Sequence, residues 1–587
     1  MKSRELTADE IRIHISTDEI SKIKFAPEPQ LPVNQEAVEA LSTGLALRGR
    51  EMNIFLCGAS PADREKLLEK HLNKLSAANN CSIVARKDDS SPYTANIIRC
   101  GKNEIKENDN ILVQQKEDAP IIFEHNPIPQ NLFGIATDNV ENLLPGSILK
   151  SDGGLIVLNA EDLMEEEESW KLLKRTIRKG KTSIGTAVSG TESLIKNGNI
   201  LKTNEINIDL KVVILGTEDH YDNFYNSDED FRELFQIFSE IDSVIDLNEK
   251  NLSDTVNCLR SFSIKKLKRN LADDAALELV KYSISAAENK TKLSTALSDL
   301  ELIILEADLL NENKELPITG EVIKTVLSRQ AARFSLLEQR IIEEMKSGEI
   351  VIHLDGSEIG KVNSLAVIDK GPWAFGSPGL ISARVAPGEN GLVNIEHEAG
   401  LSGEIHDKWV LILEAFLRSK FAQSFPISLF ASLCFEQSYS EVDGDSASSS
   451  ELYALLSAIS SVPLRQDIAV TGSLSQTGEI QAVGGLREKI EGFYKVCKAI
   501  KYTGTQGVIV PERNINSIIL PDEILDEIEK GNFHIYTVTT VDDSMELLTG
   551  KEPGKCNLKG QFPPGTLNNL IEKKLKKLAS QVKNFGN

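Results

Sequence analysis

Short apolar runs and helically spaced apolar residues alternate along the first half of the chain. The run 53–57 (NIFLC) ends at Gly58 and precedes a segment in which Leu67, Leu68 and Leu72 fall on one helical face. Two further apolar runs lie at 155–158 (LIVL) and 211–215 (KVVIL). Continuous apolar strands that alternate with helices predict a parallel sheet covered on both faces.

The pattern changes further along the chain. Residues 81–150 are rich in Asn and Asp, and we expect few strands there. From about 250 to 345 the apolar spacing predicts a wholly helical region, and beyond 350 glycine and β-branched residues return with turn signals. The predicted fold class is therefore multidomain, with an N-terminal α/β module, a helical lid and a C-terminal α+β domain.

These changes set five predicted segments. They are an N-terminal segment (1–50), an α/β module with an insertion (51–250), a lid (251–345), an α+β domain (346–550) and a basic tail (551–587). The tail carries eight lysines against two glutamates, and 567–585 has the spacing of an amphipathic helix. That helix is expected to be solvated at the end of the chain, or else to dock on a neighbouring subunit or an acidic surface.

Composition argues against a membrane, secreted or nucleic-acid-binding protein. The 587 residues are 41% hydrophobic and 26% charged, and no stretch approaches 18 consecutive apolar residues, so we expect no membrane span. The start of the chain lacks the features of a secretory signal, which predicts a cytoplasmic protein. Seven scattered cysteines indicate reduced thiols, and a net charge of −23 argues against a nucleic-acid partner.

The candidate chemistry lies in the α+β domain. Ser446 stands in a turn before a predicted helix, where backbone N–H groups of the segment Asp445, Ser446 and Ala447 could form an oxyanion hole. Asp, Gly and Ser also cluster at ordinary turns, so this segment alone decides nothing. A second segment runs from Thr471 through Gly484-Gly485 to Lys489, 43 residues after the serine.

Together the two segments resemble the protease domain of the Lon family. The stretches 362–369, 375–398 and 401–421 look like successive elements of the LonB and LonC branch, and GDSAS (444–448) resembles its nucleophile motif. The resemblance implies that Ser446 is the nucleophile, that Lys489 is the general base and that Thr471 helps to orient the lysine. A lysine works as a base only if burial lowers its pKa, and Ile480, Val483 and Ile490 could supply the apolar surroundings.

Other catalytic sites have weaker support. A Ser-His-Asp triad would need His397, His406 or His534, none of which lies in a sequence context typical of a triad. Cys434 and Cys497 lie within apolar patterns, where cysteine usually behaves as a small buried residue. The eight histidines show no ligand spacing, so we expect no metal site.

Residues 58–65 occupy the place of a phosphate-binding loop, G-x-x-x-x-G-K-[ST]. Gly58 is kept, but Asp63 stands where a second glycine is needed, Arg64 replaces the lysine and Glu65 replaces the hydroxyl that binds Mg²⁺. Asn159 ends the strand where a metal-binding Asp is expected. We therefore expect a degenerate, non-functional nucleotide site and no cofactor.

The stretches 131–134, 144–163 and 169–181 resemble the AAA-like module of LonC-type proteases. That resemblance implies an ATP-independent serine endopeptidase that degrades unfolded polypeptides inside a homo-oligomer, a hexamer in that family. Two alternatives stay open at this point. One is an ATP-driven unfoldase-protease, and the other is a non-proteolytic, chaperone-like scaffold.

Overall fold

The computed structural model describes residues 3–58, 60–72, 81–91, 93–101, 103–114, 118–185, 200–310, 313–371, 373–438 and 441–585. The chain divides into two compact units. Residues 22–272 and 293–318 form the first, called the N-terminal unit. Residues 1–21, 273–292 and 319–587 form the second, called the C-terminal unit.

Helices occur throughout the described residues. In chain order they are α1 (Ala8–Ile11), α2 (Thr17–Lys22), α3 (Gln35–Ala46), α4 (Pro61–His71), α5 (Pro129–Phe133), α6 (Ser147–Lys150), α7 (Ala160–Glu165), α8 (Glu167–Lys179), α9 (Glu218–Ser227), α10 (Glu229–Leu234), α11 (Glu249–Phe262), α12 (Asp273–Ala286), α13 (Leu297–Leu310), α14 (Gly320–Phe334), α15 (Leu336–Ser347), α16 (Ile395–Glu398), α17 (Glu404–Phe421), α18 (Ser448–Ser460), α19 (Leu486–Ile500), α20 (Asp522–Glu529), α21 (Val541–Thr549) and α22 (Leu567–Phe585).

The strands are shorter. In chain order they are β1 (Arg4–Glu5), β2 (Ile54–Cys57), β3 (Ser82–Lys87), β4 (Thr94–Cys100), β5 (Asn110–Val113), β6 (Ile121–Glu124), β7 (Leu155–Asn159), β8 (Lys181–Thr182), β9 (Lys202–Thr203), β10 (Ile206–Asn207), β11 (Lys211–Gly216), β12 (Ile237–Glu240), β13 (Val244–Asp246), β14 (Lys292–Ser294), β15 (Ser357–Glu358), β16 (Lys361–Asp369), β17 (Ala374–Ala386), β18 (Gly391–Asn394), β19 (Phe430–Phe435), β20 (Leu464–Arg465), β21 (Ile468–Val470), β22 (Ser473–Leu474), β23 (Ile480–Gln481), β24 (Gly507–Pro511) and β25 (His534–Val538).

A five-stranded parallel sheet forms the centre of the N-terminal unit, in the order β12-β2-β11-β7-β6. Strands β2, β7 and β11 are the three apolar runs of the sequence, and their apolar residues are buried on both faces. One face packs against α3 and α4 through Leu41, Leu67 and Leu68, and the other packs against α8 and α10. The carboxyl end of β2 consequently leads directly into α4.

The prediction of few strands in 81–150 is wrong. Strands β3, β4 and β5 of this region form a second sheet with β9, and β6 joins the parallel sheet. Apolar residues of β3 and β4 lie opposite one another, as Val84 does to Ile98. The Asn and Asp residues cluster in the connecting turns, and their abundance there conceals the short β-branched runs.

The region 250–345 is mostly helical, but it also contains the three-residue strand β14, so the expectation of a wholly helical region is wrong in that detail. None of the helices in the described ranges combines the length and the hydropathy that a membrane span requires.

The C-terminal unit contains a mixed eight-stranded sheet in the order β1-β25-β24-β21-β16-β17-β19-β18. One face packs against α17, α18 and α21, and the other packs against α19 and α20. The helix that follows Ser446, α18, and the helix that carries Lys489, α19, therefore lie on opposite faces of one sheet. Strand β1, from the start of the chain, pairs with β25 at the edge.

The tail forms α22, and its apolar face lies in the core of the C-terminal unit. Leu567, Ile571, Leu575 and Leu578 are at most 3% exposed. The expectation of a solvated terminal helix is therefore wrong, because the apolar residues of this helix pack into the core of the C-terminal unit. The last two residues of the predicted tail, 586–587, lie outside the described residues.

Candidate active site

Ser446 lies in the turn that leads into α18, where it is half-buried. Gly444 takes a φ of +97°, a conformation that favours glycine and lets the chain reverse before the serine. The carbonyl oxygen of Ser446 accepts hydrogen bonds from Gly472 N at 2.9 Å and from Thr471 Oγ1 at 3.3 Å. The turn is thus fixed to the segment that follows β21.

Further hydrogen bonds join the start of α18 to the same segment. Ser449 N donates to Gly472 O at 3.2 Å, Leu474 N donates to Ser448 Oγ at 3.1 Å, and Ser450 Oγ donates to Val470 O at 3.2 Å. Sequence reasoning assigned no role to Ser448 or Ser450, although the run of serines after Ser446 was a visible signal.

The amides of Asp445, Ser446 and Ala447 were the candidates for an oxyanion hole. Within the described residues, the backbone hydrogen bonds of this turn use the amides of Ser448 and Ser449, and none is donated by those three. Ala447 is the N-cap of α18, so this free donor stands at the positive end of a helix.

Lys489 lies in the first turn of α19 and is 3% exposed. Burial lowers the pKa of its ammonium group from 10.5 to about 8, although the charges of Asp445, Glu488 and Glu288 act in the opposite direction. Asp445, in the turn that carries Ser446, is thus within electrostatic range of the Lys489 ammonium group. The described hydrogen bonds do not include one between Ser446 Oγ and Lys489 Nζ.

A close backbone approach holds α19 against the sheet. A Cβ atom on Gly376 of β17 would lie 2.0 Å from the carbonyl oxygen of Glu488, and one on Gly492 would lie 2.1 Å from Gly376 O. Glycine at these two positions therefore lets the helix settle onto β17 and bury Lys489. Sequence reasoning missed Gly376, whose place inside a strand pattern was the available signal.

Sequence reasoning also missed Asn514, which positions the loop before α19. Its side chain accepts a hydrogen bond from Val483 N at 2.9 Å and donates one to Val483 O at 2.9 Å. Gly485 follows with a φ of +64° and caps α19. The amide of Asn514 thus fixes the loop that leads to Lys489.

The other nucleophile and base candidates lie in different surroundings. His406 pairs with Glu451 at 3.3 Å in the interior, and His397 and His534 pair with Asp407 and Glu5. Burial raises the pKa of the thiols of Cys434 and Cys497, which makes both poor nucleophiles.

The predicted degenerate nucleotide site lies at the carboxyl end of β2, and its Ala59 is outside the described residues. Arg64 is 5% exposed, and its Nη1 donates to the carbonyl oxygen of Gly58 and, at 2.6 Å, to that of Gly216. The guanidinium thus points into the backbone of the turn. Glu65 is half-buried beside it, and Asn159 caps α7 without a side-chain hydrogen bond.

Asp63 has a structural partner in the same unit. Its carboxylate accepts hydrogen bonds from the backbone N and the hydroxyl of Ser298, at 3.2 and 2.9 Å, and so caps α13. Lys66 forms ion pairs with Glu301 at 2.6 Å and with Asp63 at 3.3 Å. These contacts tie α4 to α13.

Comparison with known proteins agrees with this architecture. Three family models match: "LonB-like, AAA domain" over residues 117–242, "Archaeal LonB, AAA+ ATPase LID domain" over 270–333, and "Lon protease (S16) C-terminal proteolytic domain" over 439–550.

Relatives that match most of the chain agree. A Lon protease homolog of Escherichia coli (strain K12) is 32% identical over 416 residues, which are 69% of this chain and 68% of that protein. A Lon protease homolog of Haemophilus influenzae is 28% identical over 76% of this chain and 73% of its own length. An archaeal Lon protease of Thermococcus kodakarensis is 26% identical over 74% of this chain and 65% of its own length. The chain therefore belongs to the Lon protease family, with an AAA-like domain, a lid and a C-terminal serine protease domain.

Proposed function

We propose that this chain is an ATP-independent, LonC-type serine endopeptidase that cleaves unfolded polypeptides with a Ser446–Lys489 dyad. The observation that carries the proposal is the burial of Lys489, which lowers its pKa to about 8 within electrostatic range of Asp445 in the turn of Ser446. At pH 7.5 about a quarter of such lysines are neutral, against about one in a thousand at a pKa of 10.5. Burial thus makes Lys489 usable as a base.

In the proposed reaction, Ser446 Oγ attacks a peptide carbonyl while Lys489 Nζ accepts its proton. The lysine then donates that proton to the leaving amine, and water hydrolyses the acyl-enzyme by the reverse route. Catalytic hydrogen bonds are often long before substrate binds, so the missing Ser446–Lys489 bond agrees with this role. Free amides at Asp445, Ser446 and Ala447 would stabilise the oxyanion, each by roughly 3 kcal/mol.

Thr471 has a related part in the proposal. Its hydroxyl donates to the Ser446 carbonyl, which supports a role in fixing the nucleophile turn. The orientation of Lys489 by Thr471 stays a prediction.

ATP independence is supported by the residues in place of the phosphate-binding loop. The Arg64 guanidinium donates hydrogen bonds to the carbonyl groups of Gly58 and Gly216, and the Asp63 carboxylate caps α13. A carboxylate about 4 Å from a phosphate charge would cost on the order of 4 kcal/mol at an effective dielectric of 20. An ATP-driven unfoldase-protease is the second candidate, favoured by the AAA domain match over 117–242.

The proposal also covers the division of the chain into five segments and its assembly into an oligomer. The boundaries 51–250, 251–345 and 346–550 contain the three matched ranges 117–242, 270–333 and 439–550, which supports this division. We further propose a cytoplasmic homo-hexamer that encloses the active sites, without nucleic-acid or membrane partners. Substrate selection would then depend on access to the enclosed active sites, so that unfolded chains enter and folded proteins are excluded.

The test is digestion of unfolded casein by the purified full-length chain, with and without ATP and Mg²⁺. We expect cleavage without nucleotide, loss of cleavage in Ser446→Ala, and normal cleavage in Ser424→Ala, which alters an exposed serine of the same unit. Cleavage strictly dependent on ATP would contradict ATP independence, and an active Ser446→Ala would contradict the dyad. Because neutral Lys489 is the base, kcat should rise with pH with a midpoint near 8.

A further inference from the structure

The helix that carries the proposed base has a second attachment, formed by a residue that the proposed dyad does not use. Arg487 lies in α19, two residues before Lys489. Its Nη1 donates a hydrogen bond to Ser285 Oγ in α12, and its Nε pairs with Glu491 Oε1 of α19 at 2.6 Å. One guanidinium thus joins α19 to α12, which falls within the lid range 270–333.

The chain just after α12 is attached to the same region. Glu288, in the same unit, takes a φ of 49°, which is uncommon for a residue other than glycine. Lys290 N then donates to Asn516 O at 2.8 Å. Asn516 is two residues from Asn514, the residue that fixes Val483 before the α19 cap.

The negative charge of Glu288 acts on Lys489 and raises its pKa against the larger effect of burial. The end of α12 therefore contacts Arg487, and the charge two residues after that helix acts on the ammonium group. Two routes, through Arg487 and through the Asn514–Asn516 segment, connect the lid range to the first turn of α19.

We propose that Arg487 is a positioning residue: by joining α19 to α12 it fixes Lys489 relative to Ser446, so the lid helps to assemble the active site. This inference rests on the proposed function, because it requires Lys489 to be the base. Arg487 itself touches neither substrate nor the reacting atoms. Its fork of donors serves Ser285 and Glu491 together, which a lysine could not do in the same geometry.

The experiment measures kcat and KM of the full-length chain on an unstructured fluorogenic peptide. We expect Ser285→Ala to lower kcat about fivefold with KM unchanged, and Arg487→Met to lower it about tenfold or more. Arg487→Lys should recover part of the loss through Glu491. Ser285→Ala combined with Arg487→Met should equal Arg487→Met alone, because Arg487→Met already removes the contact that Ser285→Ala breaks.

Ser328→Ala is the matched control, since this lid serine is exposed and its hydroxyl donates within its own helix to Lys324 O. It should leave kcat unchanged. Ser285→Ala removes a single oxygen, so it tests the inference even if Arg487→Met fails to fold. An inactive Ser446→Ala beside a Ser285→Ala variant with wild-type kcat would overturn this inference alone, whereas an active Ser446→Ala would overturn the proposed function with it.

Discussion

Replacement of Lys489 by methionine should make the C-terminal unit more stable while it abolishes peptide cleavage. Lys489 is 3% exposed, and burial lowers its pKa from 10.5 to about 8. The folded chain thus disfavours the charged form, and the unfolded chain binds more protons between these two pH values. Wild-type stability should therefore rise with pH through this window. Methionine has a similar length and carries no charge.

The pKa shift sets the size of the effect. Two and a half pKa units correspond to about 3 kcal/mol in the free energy of unfolding at pH 7, where both states of the wild-type lysine are largely charged. At pH 9.5 the folded lysine is already largely neutral while the unfolded lysine is still largely charged, and the same relation leaves about 1.4 kcal/mol. The stabilisation by Lys489→Met should therefore shrink by about half between pH 7 and pH 9.5.

This difference is measured by urea unfolding with hydrogen exchange of the α19 amides as the probe. A local probe is needed because the unfolding of a chain with two units is not expected to be two-state. Lys408→Met is the control, since Lys408 is exposed, and its effect should stay within about 0.5 kcal/mol at both pH values. A gain from Lys489→Met below about 1 kcal/mol at pH 7, or a gain that does not fall with pH, would refute the reasoning.

Three further changes test the packing around the site. Gly376→Ala should lower kcat more than tenfold, because its Cβ would collide with the backbone of α19, whereas Gly379→Ala on the same strand has space (3.8 Å) and should be near normal in the same peptide assay. Leu575→Ala should cost about 2–5 kcal/mol in urea unfolding, and Lys573→Ala, on the exposed side of α22, less than about 0.5 kcal/mol. Arg64→Met should destabilise the N-terminal unit by about 3 kcal/mol, since two buried carbonyl groups lose a charged donor, while peptide cleavage persists; an unchanged thermal midpoint would contradict this.

Some features of this protein follow from the sequence alone. The three apolar runs that became β2, β7 and β11 are local signals, since strands buried on both faces need continuous apolar residues. The candidate pair Ser446 and Lys489 came from the resemblance of two local segments to the Lon protease domain. The substitutions at Asp63 and Arg64 were readable because a phosphate-binding loop needs particular residue types at particular positions.

Other features depend on contacts between distant segments. The burial of Lys489 requires the close approach of α19 to Gly376, more than a hundred residues earlier in the chain. The partner of Asp63 is Ser298, and the partner of Arg487 is Ser285, and no local pattern links either pair. Amphipathic spacing predicted α22 but not its burial, because spacing shows that a helix has an apolar face and only the tertiary structure shows what covers it.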